Sequence, residues 1–518
     1  MITGKSIARG ALVVMAATLL SRLFGFIREM KIAEYFGLKG ITDAYLVAFA
    51  IPSAVGLAVA ASVSAGFIPV LNGYLVAGDR ENASRVANTL LNTILTVLLA
   101  VTAVGMFLAP ALASQLAPGF GDDQTRLTSE LMLIMFPGLI FVSLTGIAAG
   151  FLNSRQHFLF PALGPMVTSL VIIGALALWG RSWGIKGLAF GTLAGFAGQL
   201  LIQVPMMYKK GYRYRPEFAV CHPGVVRVFK LMMPVLAASM VPPLMLLIER
   251  GLASNLTTGS ISALNYAFRL MQLPQGLFVM AVSVPLFPAL SSFAAQKDFT
   301  RLRETMIKAV SVLALIMVPA AAGLIALDEP IVRLLFQRGA FEAKDTAPTA
   351  YALAFYALAL LPLALRDVFR RTFYSLQDTL TPVLITVGGF VLNVVLDLLL
   401  INVIGIGGLA LGAALSVLAE AAVLYFVLNG KLRELPGRSF LALLVKITIA
   451  SVVMGFAVHY LAGVAGEVTD LAAVRGRMTQ VGISVAAGLL VYILAIIILK
   501  VREVREALEL ARGLYRRN

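Results

Sequence analysis

The sequence predicts an all-α polytopic membrane protein, and three observations carry that prediction. Its residues are 59% hydrophobic and only 13% charged. Its apolar stretches recur at lengths of roughly 20 residues or more, which is what a hydrocarbon layer about 30 Å thick demands of a helix. The later stretches also repeat the earlier ones. Length therefore sets no globular domain count, because such a chain is organised by the bilayer and not around one water-excluded core.

Bounding the stretches by Gly, Pro and charges places about fourteen spans. They run near residues 8–34, 43–75, 86–117, 126–152, 158–180, 185–208, 226–254, 259–295, 303–327, 346–376, 379–404, 406–430, 439–463 and 479–501. Lys5 and Arg9 precede the first span as in a signal peptide, but no small-residue cleavage site comes before Arg22 and many spans follow, so we read an uncleaved helix. An even number of spans puts both termini on one side. The loop cations Lys209, Lys210, Arg213, Arg215, Lys297, Arg301, Arg303, Lys431, Arg433 and Arg438, and the tail from Lys500 to Arg517, share that side with Lys5 and Arg9. The positive-inside rule makes it the cytoplasm, so the chain is expected to be a multi-pass membrane protein with both termini cytoplasmic.

The same loops account for the formal charge of +16, from 42 Lys and Arg against 26 Asp and Glu. No aromatic residues are interleaved with them as nucleic-acid binding requires. The single cysteine, Cys221, excludes an internal disulfide and a multi-cysteine metal site. His157, His222 and His459 have no acid or cysteine pattern around them and read as surface residues, not metal ligands.

The repeat is explicit. Gly184-Ile185-Lys186-Gly187-Leu188-Ala189-Phe190-Gly191 recurs 221 residues later as Gly405-Ile406-Gly407-Gly408-Leu409-Ala410-Leu411-Gly412. At the same offset Ser154, Gln156, Pro161 and Leu163 land on Ser375, Gln377, Pro382 and Leu384. An even number of spans separates the copies, so the halves run parallel and are related by an axis along the membrane normal. This divides the chain into a six-helix lobe at 1–217, a second at 218–432, two additional spans within 433–502, and a tail at 503–518. The tail alternates Arg502, Glu503, Arg505 and Glu506, the pattern of a solvated helix.

Charges inside the spans are the exceptions that point to function. Thr18, Ser21, Arg22, Gly25, Arg28 and Glu29 form one stripe of the first helix, expected to face an internal cavity. An arginine at mid-bilayer costs about 2.5 to 3.5 kcal/mol by insertion scales, so it needs water, a partner or an anionic ligand. The repeat offset sets Arg28 against Glu249 in span seven. Span eight adds Asn265, Arg269, Gln272 and Gly276 on one face, and span eleven adds Asn393 and Asp397 one turn apart.

Arg22, Arg28 and Arg269 suit an anion, since guanidinium offers two parallel donors to phosphate oxygens and never loses its charge. The plainer reading is ion pairs with Glu29, Asp43 or Glu249. Glu249, Asn393 and Asp397 offer oxygen ligands for a hard cation, a proton relay, or a buried acid held by Asn and Arg250. Arg366, Asp367, Arg370 and Arg371 are explained by snorkelling at the end of span ten.

Ser21-Arg22-Leu23-Phe24-Gly25-Phe26-Ile27-Arg28-Glu29, Thr42-Asp43-Ala44, Phe67-Ile68-Pro69, Arg269-Leu270-Met271-Gln272-Leu273-Pro274-Gln275-Gly276 and the Ser375–Pro382 segment together resemble the MurJ/MviN lipid II flippases of the multidrug/oligosaccharidyl-lipid/polysaccharide exporter superfamily. The resemblance implies two six-helix lobes around a cationic cavity and a groove for a polyprenyl tail made by the last two helices. It implies lipid II as the cargo, carried from the inner to the outer leaflet by alternating access, with the membrane lipids as surroundings and no enzymatic step. By the same resemblance Arg22, Arg28 and Arg269 are cavity arginines and Asp43 an acid near the outer gate. Glu249, Asn393 and Asp397 fall at sodium-site positions, with Glu where the family has Asp. No cofactor is implied beyond coupling to Na+, H+ or the membrane potential.

Two positions depart from the family pattern: Gly56 and Leu57 follow Pro52 where many relatives have paired arginines, and Ala413 stands at a threonine position whose first-lobe counterpart is Thr192. Rival readings are an exporter of another polyprenyl-linked oligosaccharide or a drug, and an integral-membrane enzyme acting on polyprenyl phosphates. The basic residues disfavour a cationic drug, and the enzyme lacks the clustered acids or histidines its chemistry needs. A scaffold for cell-wall enzymes would leave the buried arginines without a purpose.

Overall fold

Helices account for nearly all of the ordered backbone in the computed structural model, which describes residues 4–432 and 437–501. In chain order they are α1 (Gly4–Phe36), α2 (Gly40–Val76), α3 (Arg80–Phe107), α4 (Ala109–Leu116), α5 (Asp122–Met135), α6 (Gly138–Ser154), α7 (Leu159–Trp179), α8 (Gly184–Leu201), α9 (Val204–Lys209) and α10 (Pro223–Ala253). They continue as α11 (Ser260–Pro274), α12 (Met280–Ala295), α13 (Phe299–Ala326), α14 (Asp328–Phe336), α15 (Ala343–Ala357), α16 (Leu360–Ser375), α17 (Leu380–Ile404), α18 (Ile406–Leu432), α19 (Gly437–Val468) and α20 (Val474–Ile498). The proposed tail at 503–518 lies outside the described residues.

Among the described residues twelve helices are long and apolar enough to cross a membrane, or thirteen if α15 and α16 are one span bent by 40°. The sequence expectation of about fourteen is close to this number, and the structure differs from it in the form of span ten. The first expected span coincides with α1, whose residues 10–27 hold Arg22 as their only charge. Span ten is a bent pair, not one straight helix. Elsewhere the breaks follow backbone chemistry: Pro137 separates α5 from α6, and a single π turn, Gln275–Val279, follows Pro274, which has no N–H to donate.

The helices pack as two units, Met1–Ser262 with Arg338–Phe341, and Ala263–Gln337 with Glu342–Asn518. In the first unit α6 and α10 lie along α2. Small residues permit it: a Cβ on Gly146 would sit 2.3 Å from the Ala60 Cα, and one on Gly66 2.7 Å from the Val228 carbonyl of α10. Val63, Phe67, Val86, Leu90, Val225 and Val228 fill the space between. Packing thus assigns α10 to the first unit although its sequence opens the second repeat. In the second unit α17 pairs with α18, and the α19–α20 hairpin lies on α13 through Ala314, Ile447, Ala450, Met454 and Ile496. Tyr492 on α20 donates to the Leu315 carbonyl at 2.8 Å. Outward-facing Phe426, Phe456 and Ile498 are 68%, 74% and 75% exposed, a surface that suits hydrocarbon and not water.

The repeat holds at atomic detail. Gln156 and Gln377 share a left-handed backbone at φ +58° and +62°, and Gly184 and Gly405 share one at +54° and +56°. Ser154 donates to the Phe151 carbonyl and Ser375 to the Thr372 carbonyl, each at 2.7 Å. Gly191 sets α8 against α7 where a Cβ would lie 2.4 Å from the Ala175 Cβ, and Gly412 sets α18 against α17 where one would lie 2.3 Å from Asp397 Oδ1. Gly191→Ala and Gly412→Ala should each cost about 1–3 kcal/mol of stability by overpacking. Gly174→Ala and Gly388→Ala, where nothing lies within 4 Å, should not. Thermal unfolding in detergent measures the difference, and four equal melting points would contradict this view of the packing.

Candidate functional site

The polar stripe of α1 is divided by its neighbour α7. Ser21 donates to the Ala162 carbonyl at 2.9 Å, and Gly25 faces Ser169. Arg22 is exposed beside them. Arg28 and buried Glu29 form an ion pair at 2.6 Å, so one arginine has the nearest of the acids expected for it. The stripe is therefore part packing surface and part charge, a correction to the single cavity-facing surface read from periodicity.

Asp43 is 2% exposed. Its Oδ2 accepts from the Gly259 amide at 2.7 Å, and its Oδ1 from the Ser262 amide at 2.8 Å and the Ser262 hydroxyl at 2.5 Å. These are donors at the start of α11, which have no partner within their own helix and favour negative charge. Asp43 is thus a cap supplied from α2, 216 residues away in sequence from the first of those amides. Beside it Arg250 of α10 is buried and donates to the Leu46 carbonyl of α2. Tyr45 of α2 bonds Thr192 of α8 at 2.9 Å.

In the second unit Arg269 is half-buried on α11 and reaches Gln272 Oε1 at 3.5 Å. Asn393 donates to Asp397 Oδ1 at 3.3 Å, and both are buried, with exposures of 5% and 1%. Gly412 closes over Asp397, so this acid is sealed between α17 and α18. Glu249 is half-buried on α10, in the first unit. Among the described residues no three His, Cys, Asp or Glu side chains gather as a metal site would need.

Sequence reasoning missed a buried ion pair. Arg366 does not snorkel: it donates to Glu420 Oε2 at 2.9 Å, while Thr386 donates to Oε1 at 2.6 Å and Glu420 is 4% exposed. Arg371 and Asp367 pair on the helix surface at 2.9 Å. The signal was present in the repeat, because the offset carries Gln199, itself bonded to Thr168 at 2.8 Å, onto Glu420. His222 is likewise more than a surface residue. Its Nδ1 accepts from the Gly224 amide at 3.1 Å and caps α10, which leaves Nε2–H to donate to Asn82 Oδ1 at 3.1 Å.

The departure at Gly56 has a structural cause: a Cβ there would lie 2.9 Å from the Val142 Cβ of α6, which leaves no room for an arginine. Leu57 is 61% exposed and does not have that constraint.

The family model described as lipid II flippase MurJ matches residues 32–470. The chain belongs to the MurJ lipid II flippase family. It is 30% identical over 463 residues to the lipid II flippase MurJ of Burkholderia cenocepacia, covering 88% of this chain and 90% of that one. A Rhizobium meliloti protein described as a probable lipid II flippase MurJ is 32% identical over 461 residues, covering 86% and 85%. The fold matches a solved MurJ in an inward closed conformation, with TM-score 0.79, 24% identity, and 93% and 98% of the two chains covered. An inward-facing multidrug resistance MATE transporter of the MOP superfamily matches with TM-score 0.69 and 15% identity over 82% and 98%. MurJ proteins are transporters and not enzymes.

Asp43→Ala should remove the cap of α11 at a cost of about 1–2 kcal/mol, and Asp43→Asn should cost less because it keeps an acceptor. Hydrogen exchange at the Gly259 and Ser262 amides reads the effect directly, and unchanged protection in Asp43→Ala would refute the assignment.

Proposed function

We propose that this chain is a lipid II flippase of the bacterial cytoplasmic membrane, carrying the polyprenyl-pyrophosphate-linked peptidoglycan precursor from the inner to the outer leaflet by alternating access. The observation that carries the reading is the placement of Arg22, Arg28 and Arg269 within long helices of a chain that belongs to the MurJ family. A guanidinium stays charged in a low-dielectric setting and offers paired donors to phosphate oxygens. On this reading the three arginines bind the pyrophosphate, Asp43 works at the outer gate, and the α19–α20 hairpin accommodates the polyprenyl tail. Both termini lie in the cytoplasm, which the loop cations support through the positive-inside rule.

Binding alone drives no net transport. A membrane potential supplies about 2.3 kcal/mol per charge per 100 mV, enough to reset a charged empty carrier. Asp397 with Asn393, and Glu249 of the first unit, are our candidates for coupling to Na+ or H+. The sealing of Asp397 by Gly412 favours a small ion or a proton over anything larger.

Arg28→Ala or Arg269→Ala should abolish complementation of a flippase-depleted strain while leaving the protein in the membrane at normal abundance. Normal growth of either variant would overturn the arginine assignment. Asp397→Asn should leave lipid II binding intact and slow its appearance in the outer leaflet by about tenfold or more, the effect of losing roughly 1.4 kcal/mol of coupling. A leaflet-access assay with and without Na+ and with the membrane potential collapsed separates the coupling modes. Wild-type rates for Asp397→Asn in every condition would exclude the residue from coupling.

A further inference from the structure

The repeat exposes a place near the ends of the spans where the two halves have different electrostatics. At the offset of 221 residues His157 corresponds to Asp378 and Lys210 to Lys431. In the second half Lys431 donates to the Asp378 carboxylate, an ion pair that holds the Asp378 carboxyl down to about 2. In the first half the same two positions hold a histidine and a lysine. Burial pushes the His157 imidazole below its ordinary value, and the Lys210 charge pushes it further in the same direction.

Three further observations surround this pair. His157 Nε2 and Arg155 Nε are buried and have no hydrogen-bond partner. Arg155 lies over the Phe151 ring at 5.5 Å, and Phe151 packs edge-on against Tyr212 at 5.4 Å. Beside α9 an apolar cavity of about 150 Å³ is lined by Leu91, Leu144, Met207, Tyr208, Tyr212 and Tyr214. Lys209, Lys210, Arg213 and Arg215 are exposed along this segment, and its nearest acid, Glu217, is engaged with Arg85 at 2.9 Å. Tyr208 and Tyr214 are half exposed, as tyrosines at a membrane–water boundary are. An apolar cavity takes an apolar guest, and a cluster in which cations outnumber acids takes an anion.

We propose that the phosphate of an anionic phospholipid binds between Lys210 and His157, where the second half places the Asp378 carboxylate, with an acyl chain entering the tyrosine-lined cavity beside α9. The site lies wholly within the first unit and is separate from the arginines assigned to the cargo. His157 Nε2–H donates to a phosphate oxygen, Lys210 supplies the charge, and the lipid stands in for the missing side chain.

Native mass spectrometry of the full-length chain, released from detergent micelles containing phosphatidylglycerol, tests this. The His157→Asp variant supplies the carboxylate of the other half, so it should pair with Lys210 and retain phosphatidylglycerol at least about tenfold less well. Lys210→Gln, a change at an exposed position, should do the same if His157→Asp fails to fold, and Asp378→Asn should retain the lipid as wild type does. His157→Asp should also unfold at a temperature no lower than wild type, because it gains an ion pair. Undiminished retention in a folded His157→Asp or in Lys210→Gln would overturn the proposal. So would inorganic phosphate that displaces the lipid at equal concentration, since the site would then be one for the free anion.

Discussion

A charge carried into a helix that crosses hydrocarbon has to be met by the protein itself, and most of the specific geometry here answers that requirement. Water is not there to solvate it, and an isolated buried charge costs several kcal/mol. The answers differ by site. Glu29 is met by Arg28 next to it in the chain, Asp43 by the free amides at the start of α11, and Glu420 by Arg366 and Thr386 from two other helices. Asp397 is held by Asn393 one turn away and walled in by the absent side chain of Gly412. The Asp43 and Glu420 answers join different helices, so these charges specify packing that the surrounding Leu, Val and Ala leave loosely determined.

The fold was largely readable because bilayer thickness forces a length on every span and the repeat forces a correspondence between the halves. The predicted spans coincide with the observed helices except where a local feature intervenes. The break after Ala357 bends the α15–α16 span. The repeat proved more informative than its matching letters, because it also fixes backbone conformations, as at Gln156 and Gln377.

The candidate site was legible only in part, and the reason is sequence distance. Periodicity shows which residues share a face of one helix, so Asn393 with Asp397 was visible. It cannot show which helix covers that face. Asp43 meets α11 across more than 200 residues, and Arg366 meets Glu420 across 54. Arg366 sits near a helix end among other cations, where a snorkelling side chain and a buried ion pair give the same local pattern. Only the three-dimensional neighbour distinguishes them.

The seat of α10 in the first unit also orders events in time. Its first turns contribute Val225, Val228 and Met232 to the core that holds Val63, Phe67 and Leu71 of α2. During synthesis the six helices of the first repeat emerge and enter the membrane with that face of α2 still uncovered. It is completed only when the chain beyond residue 223 arrives. The first repeat is therefore not a finished folding unit, and a chain interrupted between the repeats would leave the cell with a half that has inserted but has nothing to close it.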